Sequence, residues 1–289
     1  MIKEVNFIIP VPNQSYTDVR PLIQGDSWDE IAKEASQIAY SIGNTKMGDA
    51  LSGGISTPRN PGTPYKVGNT IVYFNEKDHT YTTKGGTPFL SGSAFAHLFE
   101  ADFPRDTIAK KVADKTGRSV ENVIEGWDSK GETSMLFGSA IHKAIETKLK
   151  YDEDANDPYL KAVTDDVVEQ LGEGIKASEV FVCDPERGLC GFVDCLIQVK
   201  DKECRLIDFK TGDINKATSL TSTARELFPE LKQKIISLYY LQLNFYRYIL
   251  ESTGYKICSM EIWAKEDEHW KMVPVPPLDI EKALDEVWK

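Results

Sequence analysis

The chain is short of positive charge. Its 289 residues include 34 Lys plus Arg against 45 Asp plus Glu, a formal charge of -11. The bulk field therefore repels polyanions, and a nucleic-acid partner would need a local basic patch or a bound cation. Long apolar runs are also missing: none approaches the ~18 residues of a membrane helix. The N-terminal MIKEVNFIIPVPNQ has an apolar stretch interrupted by prolines and does not fit an export signal. Cysteine is scarce. Cys183, Cys190, Cys195, Cys204 and Cys258 are odd in number, lack a CxxC pair and lie mostly in strand-like apolar runs. That pattern argues against disulfides, structural zinc and iron–sulfur clusters, and for a reduced, cytoplasmic protein. Disorder is excluded too, because 41% hydrophobic and 10% aromatic residues supply a packed core.

What is present divides near residue 65. Ser27 can cap a helix in which Trp28, Ile31, Ala35, Ile38, Ala39 and Ile42 recur at helical spacing up to Gly43. Residues 49–68, dense in Gly, Pro and Ser, read as a linker. Residues 1–65 are thus an N-terminal extension, and 66–289 the main domain. That domain opens with strands at Thr70 to Phe74 and His79 to Thr83 around the turn NEKD, then a strand end and short helix in TPFLSGSAFAHLFE.

Two helices are expected over Ile108 to Thr116 and Ser119 to Trp127. Lys110, Lys111 and Lys115, with Arg118, make a basic cluster there, which is either a solvated face or a phosphate-binding one. A third helix, Thr133 to Lys150, buries Phe137, Ile141, Ala144, Ile145 and Leu149, and carries Gly138, His142 and Glu146 along one edge. Three strand signals follow, from Glu179 to Cys183, Leu189 to Val199 and Arg205 to Lys210, most simply an antiparallel meander. Alternation puts Asp194 on one strand face and Asp208 with Lys210 on one face of the next. A Ser/Thr-rich stretch then leads to a helix from about Leu231 to Ser252 that carries Gln242 and Tyr246. A hairpin, Lys256 to Ala264 and Trp270 to Val275, and a helix from Ile280 complete the domain. No internal repeat is visible.

Two carboxylates on neighbouring strands can hold a hard divalent cation. The Phe209 carbonyl is a further oxygen ligand there, and Lys210 can orient an attacking water. An aspartate amid apolar residues is costly to bury without such a cation or hydrogen-bond donors.

At these residues the sequence resembles the PD-(D/E)xK nucleases, in the RecB-like exonuclease branch. The likeness rests on GSAIHKAIE, SEVFV, GFVDCLI, LIDFKTG and QLNFY in the family's order, across about residues 70 to 275. The segment YFNEKDHTYTTKGGTPFLSGS is similar to the strand pair of phage exonucleases and of the mitochondrial genome maintenance exonuclease. The resemblance implies an α/β (α+β) restriction-endonuclease-like core, a central mixed sheet with an antiparallel meander flanked by helices. It implies one or two Mg²⁺ or Mn²⁺ ions on His142, Asp194, Asp208 and the Phe209 carbonyl, with Glu179 helping to hold a second ion or its water. Lys210 would be the catalytic lysine, and Gln242 and Tyr246 the helix motif that organises the site or the DNA. Gly138 and Glu146 match weaker positions. The stretch after Gly212 is longer than the family's, and the cluster cysteines of the iron–sulfur branches are missing.

The implied activity is metal-dependent DNA exonucleolysis in recombination, repair or genome processing, by a cellular protein or by a phage protein in its host's cytoplasm. A recombination or single-strand-binding protein is the implied accessory partner. A structure-specific or single-strand endonuclease and a silent DNA-binding subunit stay open, since fold does not choose among them. Lys110, Lys111, Lys115, Arg225 and Lys232, together with Lys216 and Lys234, are the candidate phosphate contacts. The tyrosines Tyr239, Tyr240, Tyr246 and Tyr248, with Phe245, read as core more readily than as a base-stacking platform.

Overall fold

The structure, a computed structural model, describes residues 62–267 and 269–287. The expected helix after Ser27 and most of the expected linker lie outside the described residues. The chain divides into two compact units, whose described parts are residues 62–91 with Cys183–Cys190, and Gly92–Val182 with residues 191–287.

The smaller unit is an antiparallel meander of β1 (Thr63–Val67), β2 (Thr70–Asn75), β3 (Thr80–Thr83) and β4 (Pro88–Ser91). β1 corrects the linker expectation. The β1–β2 ladder closes at Val67↔Thr70, and Gly68, at φ 58, supplies the left-handed residue of the two-residue loop. The described part of the expected linker, residues 62–68, is thus strand and turn. Asn75 folds the next loop by accepting the Lys77 N–H at 3.1 Å and donating to Asp78 at 3.1 Å. Val67, Val72, Tyr73 and Tyr81 are among its buried residues, and Tyr81 stacks on Phe74 at 4.8 Å. β4 also pairs in parallel with the first residues of β6 (Leu189–Lys200), Leu90 against Leu189.

The larger unit holds most of β5 (Ile175–Asp184) and of β6, together with β7 (Glu203–Lys210), β8 (Lys256–Glu266) and β9 (His269–Pro274). β5 pairs with β6, β6 with β7 antiparallel, β7 with β8 parallel and β8 with β9 antiparallel. A parallel neighbour needs a long crossover, which here passes through α5 (Ser222–Leu227) and α6 (Ile235–Ser252). The other helices are α1 (Gly92–His97), α2 (Arg105–Thr116), α3 (Val120–Tyr151), α4 (Pro158–Gln170) and α7 (Glu281–Val287). The class is mixed α/β with a mixed sheet flanked by helices.

The two helices expected over 119–127 and 133–150 are one helix of 32 residues. Ser119 caps it by accepting the Asn122 N–H. Its first turns pack Val123 against Ala109 and Ala113 of α2, while Ile141, Ile145 and Leu149 pack against the sheet. Residues 128–137 between these anchors are exposed on every side. Packing at both ends carries the helix through an exposed, glycine-containing middle that has no packing of its own.

α4 was not anticipated, although Asp157 caps it, Pro158 opens it, and Leu160, Val163, Val167 and Leu171 repeat at helical spacing. α3 and α4 together bury one sheet face, covering Cys195, Ile197, Ile207, Phe209, Trp263 and Trp270. The Trp270 indole donates to the Val163 carbonyl at 2.9 Å and ties α4 to the hairpin.

Candidate metal centre

The β6–β7 ladder runs from Lys200↔Glu203 up to Cys195↔Ile207. One step further the register sets Asp194 opposite Asp208, and there the strands part. Asp194 Oδ2 accepts the Phe209 N–H at 2.8 Å. Backbone N–H groups of a strand lie in the plane of the sheet, so the Asp194 carboxylate fills the in-plane gap between the strands. Alternation leaves Asp208 and Lys210 on one face of β7, and the Asp194–Phe209 bond holds Asp194 beside them, where its charge acts on both. Its position also explains how α3, packed on the Phe209 face, reaches Asp194: His142 Nδ1 lies 3.6 Å from Asp194 Oδ2. The N–H and C=O of one strand residue point toward the same neighbour, so the Phe209 carbonyl faces this gap as well.

Glu179 enters from β5 in an unusual conformation. Its φ is 51, left-handed for a non-glycine residue within a strand, and such a kink re-aims a side chain. The result is a group of three: one ligand atom each of His142, Glu179 and Asp194 lie within 4.8 Å of one another. Among the described residues it is the one such group of His, Cys, Asp or Glu side chains. Asp208 lies outside the three, and the Asp194 charge still acts on it. Its Oδ2 makes a close ion pair with Lys210 Nζ at 2.8 Å, without hydrogen-bond alignment.

Negative charge is crowded here. Burial, then the Asp194 and Glu146 charges, push the Glu179 carboxyl up to about 8. Burial also raises Asp208, against the opposing pull of Lys210. Lys210 is raised because the Asp208 and Asp194 charges outweigh the burial that would lower it. Glu146, one turn beyond His142, is lowered in spite of burial because Lys143 and Lys150 donate to it at 2.8 and 2.7 Å. A cluster of carboxylates with one imidazole and surplus negative charge could hold a metal cation.

Other predicted residues fall elsewhere. Tyr246 is buried, and a Cβ on Gly92 or Gly191 would lie 2.7 Å from its ring. Gln242 donates to its hydroxyl at 3.4 Å. The pair thus packs α6 against the starts of α1 and β6, and neither residue joins the ligand group. Gly138 lies where a Cβ would meet Thr211 Oγ1 at 2.9 Å, so its bareness lets α3 approach the end of β7. Lys110, Lys111 and Lys115 are exposed on α2, as are Arg225 on α5, Lys232 and Lys216. Lys234 donates to Asn215. Phe137, expected in the buried stripe of α3, is 40% exposed.

Sequence reading missed the turn of backbone at Glu179 and the ring of Tyr239, which lies over Lys210 Nζ at 4.5 Å. Neither leaves a local signal, because both depend on how neighbouring elements meet. The five cysteines are unpaired, four buried and Cys258 exposed. No described helix is long and apolar enough to cross a membrane. Comparison with protein-family models and with curated proteins finds no match to this chain.

Proposed function

We propose that the protein is a metal-dependent nuclease with a restriction-endonuclease-like core, acting on DNA as an exonuclease. The observation that carries this reading is the convergence of His142, Glu179 and Asp194 beside the Asp208–Lys210 pair. His142, Glu179, Asp194 and the Phe209 carbonyl would hold one or two Mg²⁺ or Mn²⁺ ions, with Asp208 as a further carboxylate. When bound, such an ion acidifies water and offsets charge that builds on phosphoryl oxygens.

The chain's own residues do the rest. The Phe209 N–H fixes one oxygen of Asp194. Lys210, paired with Asp208, places a cation where an attacking water and the phosphodiester must meet. Exposed Lys110, Lys111, Lys115, Arg225 and Lys232 supply phosphate contacts that an acidic chain otherwise lacks. The reading includes a cytoplasmic setting and a recombination or single-strand-binding partner.

The test is degradation of end-labelled linear and of closed circular DNA, single and double stranded, with Mn²⁺ or EDTA, by wild type and Lys210→Ala. Metal-dependent shortening of linear DNA that the variant lacks, with circles intact, is expected. Cut circles would replace the exonuclease by an endonuclease, and wild type inert under every metal would leave a binding subunit.

A further inference from the structure

Lys210 is a long, flexible side chain whose ion pair among the described residues is with a single oxygen of Asp208. That contact fixes a distance but not a direction. The missing constraint comes from α6: the Tyr239 ring centroid lies 4.5 Å from Lys210 Nζ. An ammonium is drawn to an aromatic face by the ring quadrupole, and more strongly when water is excluded; the Lys210 side chain is 18% exposed.

Tyr239 is itself held in register with the strand that bears the lysine. The Ile235 and Ile236 N–H groups donate to the carbonyls of Lys216 and Ile214 at 2.9 and 3.0 Å. The Ser237 hydroxyl donates to the Lys232 carbonyl at 2.7 Å. The first turn of α6 is therefore tied by backbone bonds to the segment that continues from Lys210. Glu100 also acts electrostatically on Tyr239, and is itself occupied by Thr218 at 2.6 Å and His97 at 2.8 Å.

We propose that Tyr239 is a positioning residue for the reaction, its ring face holding the Lys210 ammonium against the carboxylate cluster. The inference rests on the nuclease reading for its consequence in catalysis. It requires the ring rather than the hydroxyl, so phenylalanine should serve where an aliphatic side chain of similar bulk does not.

The experiment compares wild type with Tyr239→Phe, Tyr239→Leu and, should the leucine variant fail to fold, Tyr239→Met. Steady-state cleavage of linear DNA with Mn²⁺, Mn²⁺ binding by calorimetry, and the ring-current shift of the Lys210 ε-methylene protons are measured on each. The aliphatic variant should lose the ring-current shift and at least tenfold in kcat, with KM and Mn²⁺ affinity within about twofold. Tyr239→Phe should restore both the shift and the rate. Equal kcat in the aliphatic variant, or a phenylalanine variant as impaired as it, overturns the proposal. So does a Lys210 shift that persists without the ring. Wild type inert toward DNA would sink the nuclease reading and the catalytic role with it, whereas an active wild type with an indifferent aliphatic variant sinks this inference alone.

Discussion

The Phe209 backbone N–H donates to Asp194 Oδ2 at 2.8 Å, so a side chain continues the β6–β7 connection one step past the end of the backbone ladder. The same oxygen lies 3.6 Å from His142 Nδ1. Asp194 is therefore at once a strand-pairing group and a candidate ligand, and the two roles can be separated.

Asp194→Asn keeps an oxygen acceptor for the Phe209 N–H but removes the charge. Its unfolding free energy should stay within about 1 kcal/mol of wild type, while Mn²⁺ affinity falls at least tenfold. Asp194→Ala should lose both affinity and about 2 kcal/mol, the scale of a hydrogen bond to a charged group together with the donor left unpaired. Urea denaturation alongside calorimetric Mn²⁺ titration reads the two effects separately. Loss of stability in the asparagine variant equal to that in alanine would remove the pairing role.

Tyr246 packs where side chains are excluded. A Cβ on Gly191 would sit 2.7 Å from its ring, and the ring is buried, so Gly191→Ala should destabilise by about 1–3 kcal/mol through overpacking. The penalty belongs to the pair. In a Tyr246→Ala background the same substitution should cost less, and a double-mutant cycle should return a coupling of about 1 kcal/mol or more. Additive effects would show that the glycine is required for another reason.

The chemistry-bearing residues were legible where local pattern governs. Asp208 and Lys210 share a face of β7 by alternation, and His142 and Glu146 share an edge of α3 by helical spacing. The pattern failed where elements meet. The Asp194–Phe209 bond carries the pairing past the last ladder pair, Cys195↔Ile207, and Glu179 reaches the cluster through a left-handed φ of 51. α4 carries its own local signals, a cap, a proline and an apolar repeat. β1 was concealed by hairpin glycines and prolines that resemble a linker. α5 was hidden in a Ser/Thr-rich stretch where Thr221 caps it by accepting the Ala224 N–H at 3.1 Å.

Asn244 has no part in the candidate centre, yet it holds the C-terminal segment to α6. It is fully buried, and its amide donates to the Tyr240 and Pro276 carbonyls at 2.8 and 3.0 Å while its oxygen accepts the Leu278 N–H at 2.8 Å. Asn244→Leu keeps the branched shape but strands the Pro276 carbonyl and the Leu278 N–H. The expected cost is about 3 kcal/mol, read by urea unfolding, with faster proteolysis in the segment after β9. Wild-type stability in the variant would mean that the segment finds other partners.

Glu179 makes the stability of the metal-free protein depend on pH in an unusual direction. Its carboxyl, raised to about 8 by burial and by the neighbouring Asp194 and Glu146 charges, binds a proton more tightly in the folded chain than in the unfolded one, where the ordinary value is 4.5. Below the unfolded value both states are protonated and the residue costs nothing. As pH rises from there the unfolded chain ionises first, so stability falls steadily, and the full penalty is reached above the folded value. Between pH 5 and pH 8.5, in EDTA, Glu179→Gln should remove a decline of about 2 kcal/mol, a figure set below the bare shift to allow for relaxation and solvent. Mn²⁺ should act in the same sense on wild type, because a cation favours the ionised carboxylate and binding near pH 7 then expels its proton. Calorimetry in buffers of different ionisation enthalpy should register that proton for wild type and lose it in Glu179→Gln. A metal-free wild type whose stability is flat over this range, matching the glutamine variant, would show that Glu179 is ionised in the folded chain without a cation.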